Sequence, residues 1–95
     1  MNIYSENERK DVYARALNRW GITNQSVVAI EELSECQKEI CKHLRGIGDM
    51  EHMAEEIADS IIMLEQLQMI FGIGNLVSRY LYEKIKRIDA RIDEV

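Results

Sequence analysis

The sequence predicts an all-α protein, and three observations carry that expectation. The chain contains no proline and is 46% apolar, a composition that suits packed helices rather than disorder. Its apolar residues recur at steps of three and four, while the alternation expected of a strand is nowhere sustained. Glycines fall where the periodic stretches stop, at Gly21, at Gly46 and Gly48, and at Gly72 and Gly74. The runs at residues 27 to 30 and 61 to 64 look strand-like in isolation, yet both lie inside longer helical periodicity. A chain of 95 residues is one domain, so the expected architecture is a single four-helix-type bundle spanning residues 1 to 95.

The first helix is predicted over residues 6 to 20, with Tyr13, Leu17 and Trp20 as a narrow apolar stripe and Gly21 as its end. Trp20 reads as an anchor against the bundle or, beside a carboxylate cluster, as a ring for stacking on a base. Ile22 to Ser26 reads as a turn in which Thr23 or Asn24 caps the second helix. That helix is predicted over residues 24 to 44, with Ala29, Leu33, Cys36, Ile40 and Leu44 as its packing stripe. Glu32, Glu35 and Glu39 share the adjacent face, whereas Glu31 turns toward Lys38 and Lys42 and is the more solvated of the acidic pair.

Residues 45 to 49 break the helices, and Asp49 is placed to cap the third, predicted over residues 50 to 71. Its second half is apolar nearly all round, through Ile61, Ile62, Met63, Leu64, Leu67, Met69, Ile70 and Phe71. A helix of that kind must be covered on every side, which a chain this short does not manage alone. Self-association is therefore expected. The fourth helix is predicted over residues 75 to 93, with Asn75 as its cap. Leu81, Ile85, Ile88, Ile92 and Val95 alternate by four and three, the pattern of a helix packed along a partner. Tyr80, Lys84, Arg87 and Arg91 form a basic strip beside that seam, either a solvated flank or a phosphate clamp.

The formal charge of -5 argues against a protein held to nucleic-acid phosphates, which needs a basic footprint. Cys36 and Cys41 match no zinc spacing and read as free thiols in a reducing compartment. The first ten residues carry no apolar run of a secretory signal, and no stretch reaches membrane-spanning length. A cytoplasmic location away from membranes is expected.

The acids carry the chemistry. If the second and third helices fold back at residues 45 to 49, Glu35 lies opposite Asp59 and Glu32 near Ile62, so that Glu32, Glu35, Glu56 and Asp59 converge across one helix pair. Like charges at this spacing repel, and buried carboxylates are costly unless paired or metal-bound. An all-oxygen set suits Mg2+ or Mn2+ and fits zinc poorly. His52, one turn before Glu56, is an outer-shell donor or an incidental neighbour, as is His43 near Glu39. The Glu-x-x-His pairs of di-iron bundles are missing, as are a Walker-type loop and a nucleophile triad.

Glu31-Glu32-Leu33-Ser34-Glu35, followed after the loop by Glu56-Ile57-Ala58-Asp59, resembles the EExxE and ExxD signature of the all-alpha nucleoside triphosphate pyrophosphohydrolases, the MazG-like family. The resemblance covers residues 17 to 91 and is greatest to small, single-domain, phage-like members. It implies a helical bundle that forms dimers or tetramers and cleaves a nucleoside triphosphate between its alpha and beta phosphates, giving the monophosphate and pyrophosphate. It further implies Mg2+ ligands at Glu32, Glu35, Glu56 and Asp59, and a role for Glu31 such as orienting water. Lys84, Arg87 and Arg91 match by position the basic residues that hold phosphates. Trp20 and Tyr80 are candidates for the base pocket, since stacking tolerates any base. The competing classes are a non-catalytic interaction protein with an acidic face and a nucleotide-sensing protein that retained the fold without turnover.

Overall fold

The computed structural model describes residues 3–94, and among them it contains four α-helices and no strand: α1 (Glu6–Trp20), α2 (Ile22–Leu44), α3 (Met50–Phe71) and α4 (Gly74–Ile92). Helix α1 opens on a reciprocal cap. The Ser5 hydroxyl accepts from the backbone N–H of Glu8 at 3.1 Å, and the Ser5 N–H donates to Glu8 Oε1 at 2.8 Å. Its end departs from the expectation of a five-residue turn. Gly21 alone makes the corner at φ 91°: its N–H donates to the Leu17 carbonyl, and its own carbonyl already accepts from Gln25. Helix α2 therefore begins at Ile22, and Thr23 and Asn24 lie inside its first turn rather than capping it.

The second break behaves as expected, with the Asp49 carboxylate accepting from the His52 N–H at 2.8 Å. At the third, Ile73 rather than Asn75 occupies the capping position of α4, its carbonyl accepting from Val77, and no side chain caps that end.

Helices α2 and α3 pair closely and form the body of the molecule, with α1 laid against α2. The face of α2 turned inward is not the predicted apolar stripe. Ala29 is buried, but Ile40 and Leu44 point outward, and the buried line runs through Gln25, Ala29 and Glu39 with Glu32 and Cys36 half-buried between them. These residues step by four and three, so they form one helical seam. The matching line on α3 is Glu56, Ser60, Met63 and Gln66. The Gln25 amide donates to Gln66 Oε1 at 2.8 Å inside the seam. The reason for the departure is that the pairing uses the face bearing the acids, which leaves the neighbouring apolar flank outside.

The buried apolar core among the described residues is accordingly small: Tyr13, Ala29 and Met63. Helix α4 buries no residue, and only its first turns line a groove with α1 and α3. Leu81, Ile85, Ile88 and Ile92 of its seam are all exposed, Ile92 to 72%; Val95, the last member, lies outside the described residues. Trp20 is 57% exposed, so it does not anchor α1 within this chain. The radius of gyration is 16.1 Å, against about 12 Å for a compact domain of this length. A loosely covered body with a projecting helix accounts for the excess.

Candidate metal centre

Glu32 faces inward because it lies three residues beyond Ala29 on the α2 seam, and Glu56 because it lies four residues before Ser60 on α3. The Ser60 hydroxyl reaches the Glu32 carbonyl at 3.4 Å, which ties the two helices together at this level. The result is a compact set: one carboxylate oxygen from each of Glu32, Glu56 and Asp59 lies within 4.8 Å of the others. Glu56 is 8% exposed, and its Oε2 is fully buried with no hydrogen-bond partner. Burial first, then the charges of Asp59 and Glu56 and contact with Asp59, with Glu35 contributing least, push the Glu32 carboxyl above the ordinary glutamate range.

Around this set the remaining predicted residues are arranged unequally. Glu35 is exposed, one turn along α2, and adds charge rather than a fourth oxygen to the compact group. Glu31 is exposed on the outer side of α2. His52 lies at the site's edge, its Nε2 3.6 Å from Glu56 Oε1, whereas His43 is exposed. Lys84, Arg87 and Arg91 are exposed on α4, and among the described residues no ion pair joins them to the cluster. Trp20 lines a shallow depression at the α1–α2 corner with Leu17, Ile22 and Val27. Glu32 lies ten residues beyond Ile22 on the same helix, about 15 Å along its axis, so Trp20 does not reach the acids within one chain. Tyr80 is exposed, with the Arg79 guanidinium carbon 5.0 Å from its ring centroid.

Two polar groups received no role from the sequence, although Glu39 was already placed on the acid face. Glu39, two turns beyond Glu32 on the same face, is 3% exposed and pairs with Lys42 at 3.2 Å. Its seven-residue offset from Glu32 was the available signal. The other group ties α1 to α3. Glu65 takes Arg9 in a forked pair, at 3.0 Å through Nε and 3.3 Å through Nη2, and also accepts from the Tyr13 hydroxyl. The Arg9 hydrogen bond holds the Glu65 carboxyl below the ordinary glutamate range. Burial, then the hydrogen bond to Glu65 and that carboxylate's charge, push the Tyr13 phenol up to about 12. No local motif marks this contact, because its partners are more than fifty residues apart.

The donor set fits a hard divalent cation. It offers carboxylate oxygens from two facing helices with no thiol or imidazole in the compact group, and it leaves a buried anionic oxygen without a protein donor. No family model matches this chain, and neither does any curated protein or solved structure.

Proposed function

We propose that this chain is a Mg2+-dependent nucleoside triphosphate pyrophosphohydrolase of the all-alpha, MazG-like kind. The observation that carries the reading is the convergence of Glu32, Glu56 and Asp59, of which Glu56 keeps a buried oxygen without a partner. The residue order Glu31, Glu32, Glu35, then Glu56 and Asp59, supports it. Mg2+ bound by these acids would neutralise a triphosphate and acidify water for attack at the alpha phosphorus, with Mn2+ as a substitute.

The chain's own groups divide that work. Glu56, buried and fixed on α3, and Asp59, one turn on, supply the rigid half of the oxygen set. Glu32 supplies the α2 half, and Glu35 joins it from the exposed side. Glu31, further out, orients water. Lys84, Arg87 and Arg91 offset charge on the leaving pyrophosphate, and Trp20 or Tyr80 stacks on the base.

Those basic and aromatic residues are delivered by self-association into a dimer or tetramer, which completes the bundle. Two features support this. An apolar groove on the outer face of α2 and α3, lined by Ile30, Leu33, Ile40, Ile57, Ile61 and Leu64, is open to a partner. Helix α3 carries five acids and no Lys or Arg, whereas α4 carries five basic residues against two acids. Among the described residues, no helix is long and apolar enough to cross a membrane; the proposed enzyme acts in the cytoplasm on free nucleotides, its formal charge of -5 being unsuited to nucleic acid.

Incubation with a panel of nucleoside triphosphates, reading pyrophosphate release with and without Mg2+, tests the reading. Release from none of them overturns it. The unpartnered surface of α4 favours a second reading, a non-catalytic interaction or nucleotide-sensing protein. A pure interaction surface gives no saturable thermal shift with Mg2+, and a sensor gives the shift without turnover.

A further inference from the structure

Within one chain the cluster lacks the α4 cations, yet the His52 imidazole stands at its edge and the Lys42 ammonium one layer beyond, on Glu39. Glu39 lies on the same α2 face as Glu32, and its nearly closed carboxylate holds the Lys42 ammonium at 3.2 Å through Oε2. The same oxygen is 3.9 Å from His52 Nε2, which in turn lies 3.6 Å from Glu56 Oε1. The loop closes over this layer. Gly48 sits at φ +88°, and a Cβ there would come within 3.3 Å of Lys42 Cβ and 3.8 Å of Glu39 Oε1. The backbone thus covers the Glu39 carboxylate and fixes the stem of Lys42.

We infer that the Lys42 ammonium, seated on the buried carboxylate of Glu39, and the His52 imidazole beside it form a donor lip to the Glu32–Glu56–Asp59 cluster and hold the polyphosphate tail of the nucleotide. The assignment rests on the function proposed above and extends it to residues that the motif does not include. A buried carboxylate needs a cationic partner, and Glu39 has one in Lys42. An ammonium carries three donors, and the Lys42 side chain remains 34% exposed, so donors are left for an anion. His52 is half-exposed and lies 3.6 Å from Glu56, whose second oxygen is buried without a partner. Hydrogen bonds from this side, charge-assisted at Lys42, would meet the phosphate oxygens of a tail bound across the acids.

The test is calorimetric binding of inorganic pyrophosphate to the full chain in saturating Mg2+, alongside binding of Mg2+ alone. Lys42→Met should weaken pyrophosphate binding at least about tenfold, the loss of one charge-assisted contact. His52→Gln should weaken it less, and Lys42→Arg should restore most of the affinity. In all three variants Mg2+ affinity should stay within about twofold of wild type. Lys42→Met that binds pyrophosphate as wild type does would overturn the inference. So would a wild-type chain that shows no saturable pyrophosphate binding, or a Lys42→Met variant whose Mg2+ affinity falls in step with pyrophosphate binding; a lower melting point alone is expected, since the variant leaves Glu39 unpaired. Lys42-dependent pyrophosphate binding in a chain that hydrolyses no nucleotide supports the lip and removes the pyrophosphohydrolase reading. Turnover with Lys42-independent binding does the reverse.

Discussion

Glu56 and Glu65 stand nine residues apart on α3 and are treated in opposite ways. Glu65 receives a forked guanidinium from Arg9 and a phenol hydrogen from Tyr13, and its carboxyl is held below the ordinary range. Glu56 faces two more carboxylates and keeps one buried oxygen without any donor. The first acid is satisfied by the fold and fastens α1 to α3. The second is left unsatisfied where two helices meet, which costs stability unless something outside the chain compensates. Two carboxylates on one helix thus differ, by their partners alone, in whether the fold satisfies them.

The largest expected difference between them is in activity. Glu56→Gln should lower Mg2+-dependent pyrophosphate release by at least about a hundredfold, as expected when a ligand that positions the metal is lost, while far-ultraviolet circular dichroism stays helical. Glu65→Gln should retain the activity. Full turnover in Glu56→Gln would end the assignment of that acid.

In melting experiments with EDTA the order should reverse. Glu56→Gln relieves repulsion and should melt at or above wild type, whereas Glu65→Gln removes the charge that pairs with Arg9 and puts an amide donor where Oε2 accepts from Nη2, and should melt lower. A Glu56→Gln variant that melts well below wild type in EDTA would contradict the account of strain in the cluster.

The pH dependence sharpens the contrast, because the two sites shift in opposite directions. Glu32 binds its proton more tightly folded than unfolded, so metal-free stability falls as pH rises through the window just above the ordinary glutamate range. Glu65 is shifted the other way, so its contribution is lost as pH falls through the window below that range. Melting temperature against pH in EDTA should therefore peak between the windows, and saturating Mg2+ should flatten the upper limb. An upper limb unchanged by Mg2+ would separate Glu32 from any cation.

The smallest effect belongs to Tyr13. Tyr13→Phe removes one hydrogen bond and leaves Arg9 on Glu65, so it should cost about 1 kcal/mol, or roughly 4–8 °C of melting temperature for a domain this size. Wild type should also lose stability as pH rises from the ordinary tyrosine value toward about 12, and the variant should not.

The four helices were readable from the residues, because they follow from local periodicity and the glycine breaks, and the meeting of Glu32, Glu56 and Asp59 followed only on the condition that α2 and α3 fold back on each other. The corner at Gly21 was misread, since Thr23 and Asn24 are good caps in isolation but one glycine turned the chain before either was needed. The α2 stripe was misread for a deeper reason. Helical spacing shows that Ile40 and Leu44 share a flank with Ala29, but only the pairing of α2 with α3 decides that the acid-bearing flank turns inward. Glu65 was invisible because its partners come from the other end of the chain.

Asp49 sets where α3 starts and Gly48 sets how closely the loop lies on α2, so the distance in residues from that corner to Glu56 acts as a phase setting. One residue inserted between His52 and Glu56 would advance everything after it by about 100° of rotation. The protein would remain fully helical by spectroscopy, yet its acids would be dialled out of register with Glu32. Indels in that single turn are therefore expected to be silent to helicity and severe for cation affinity.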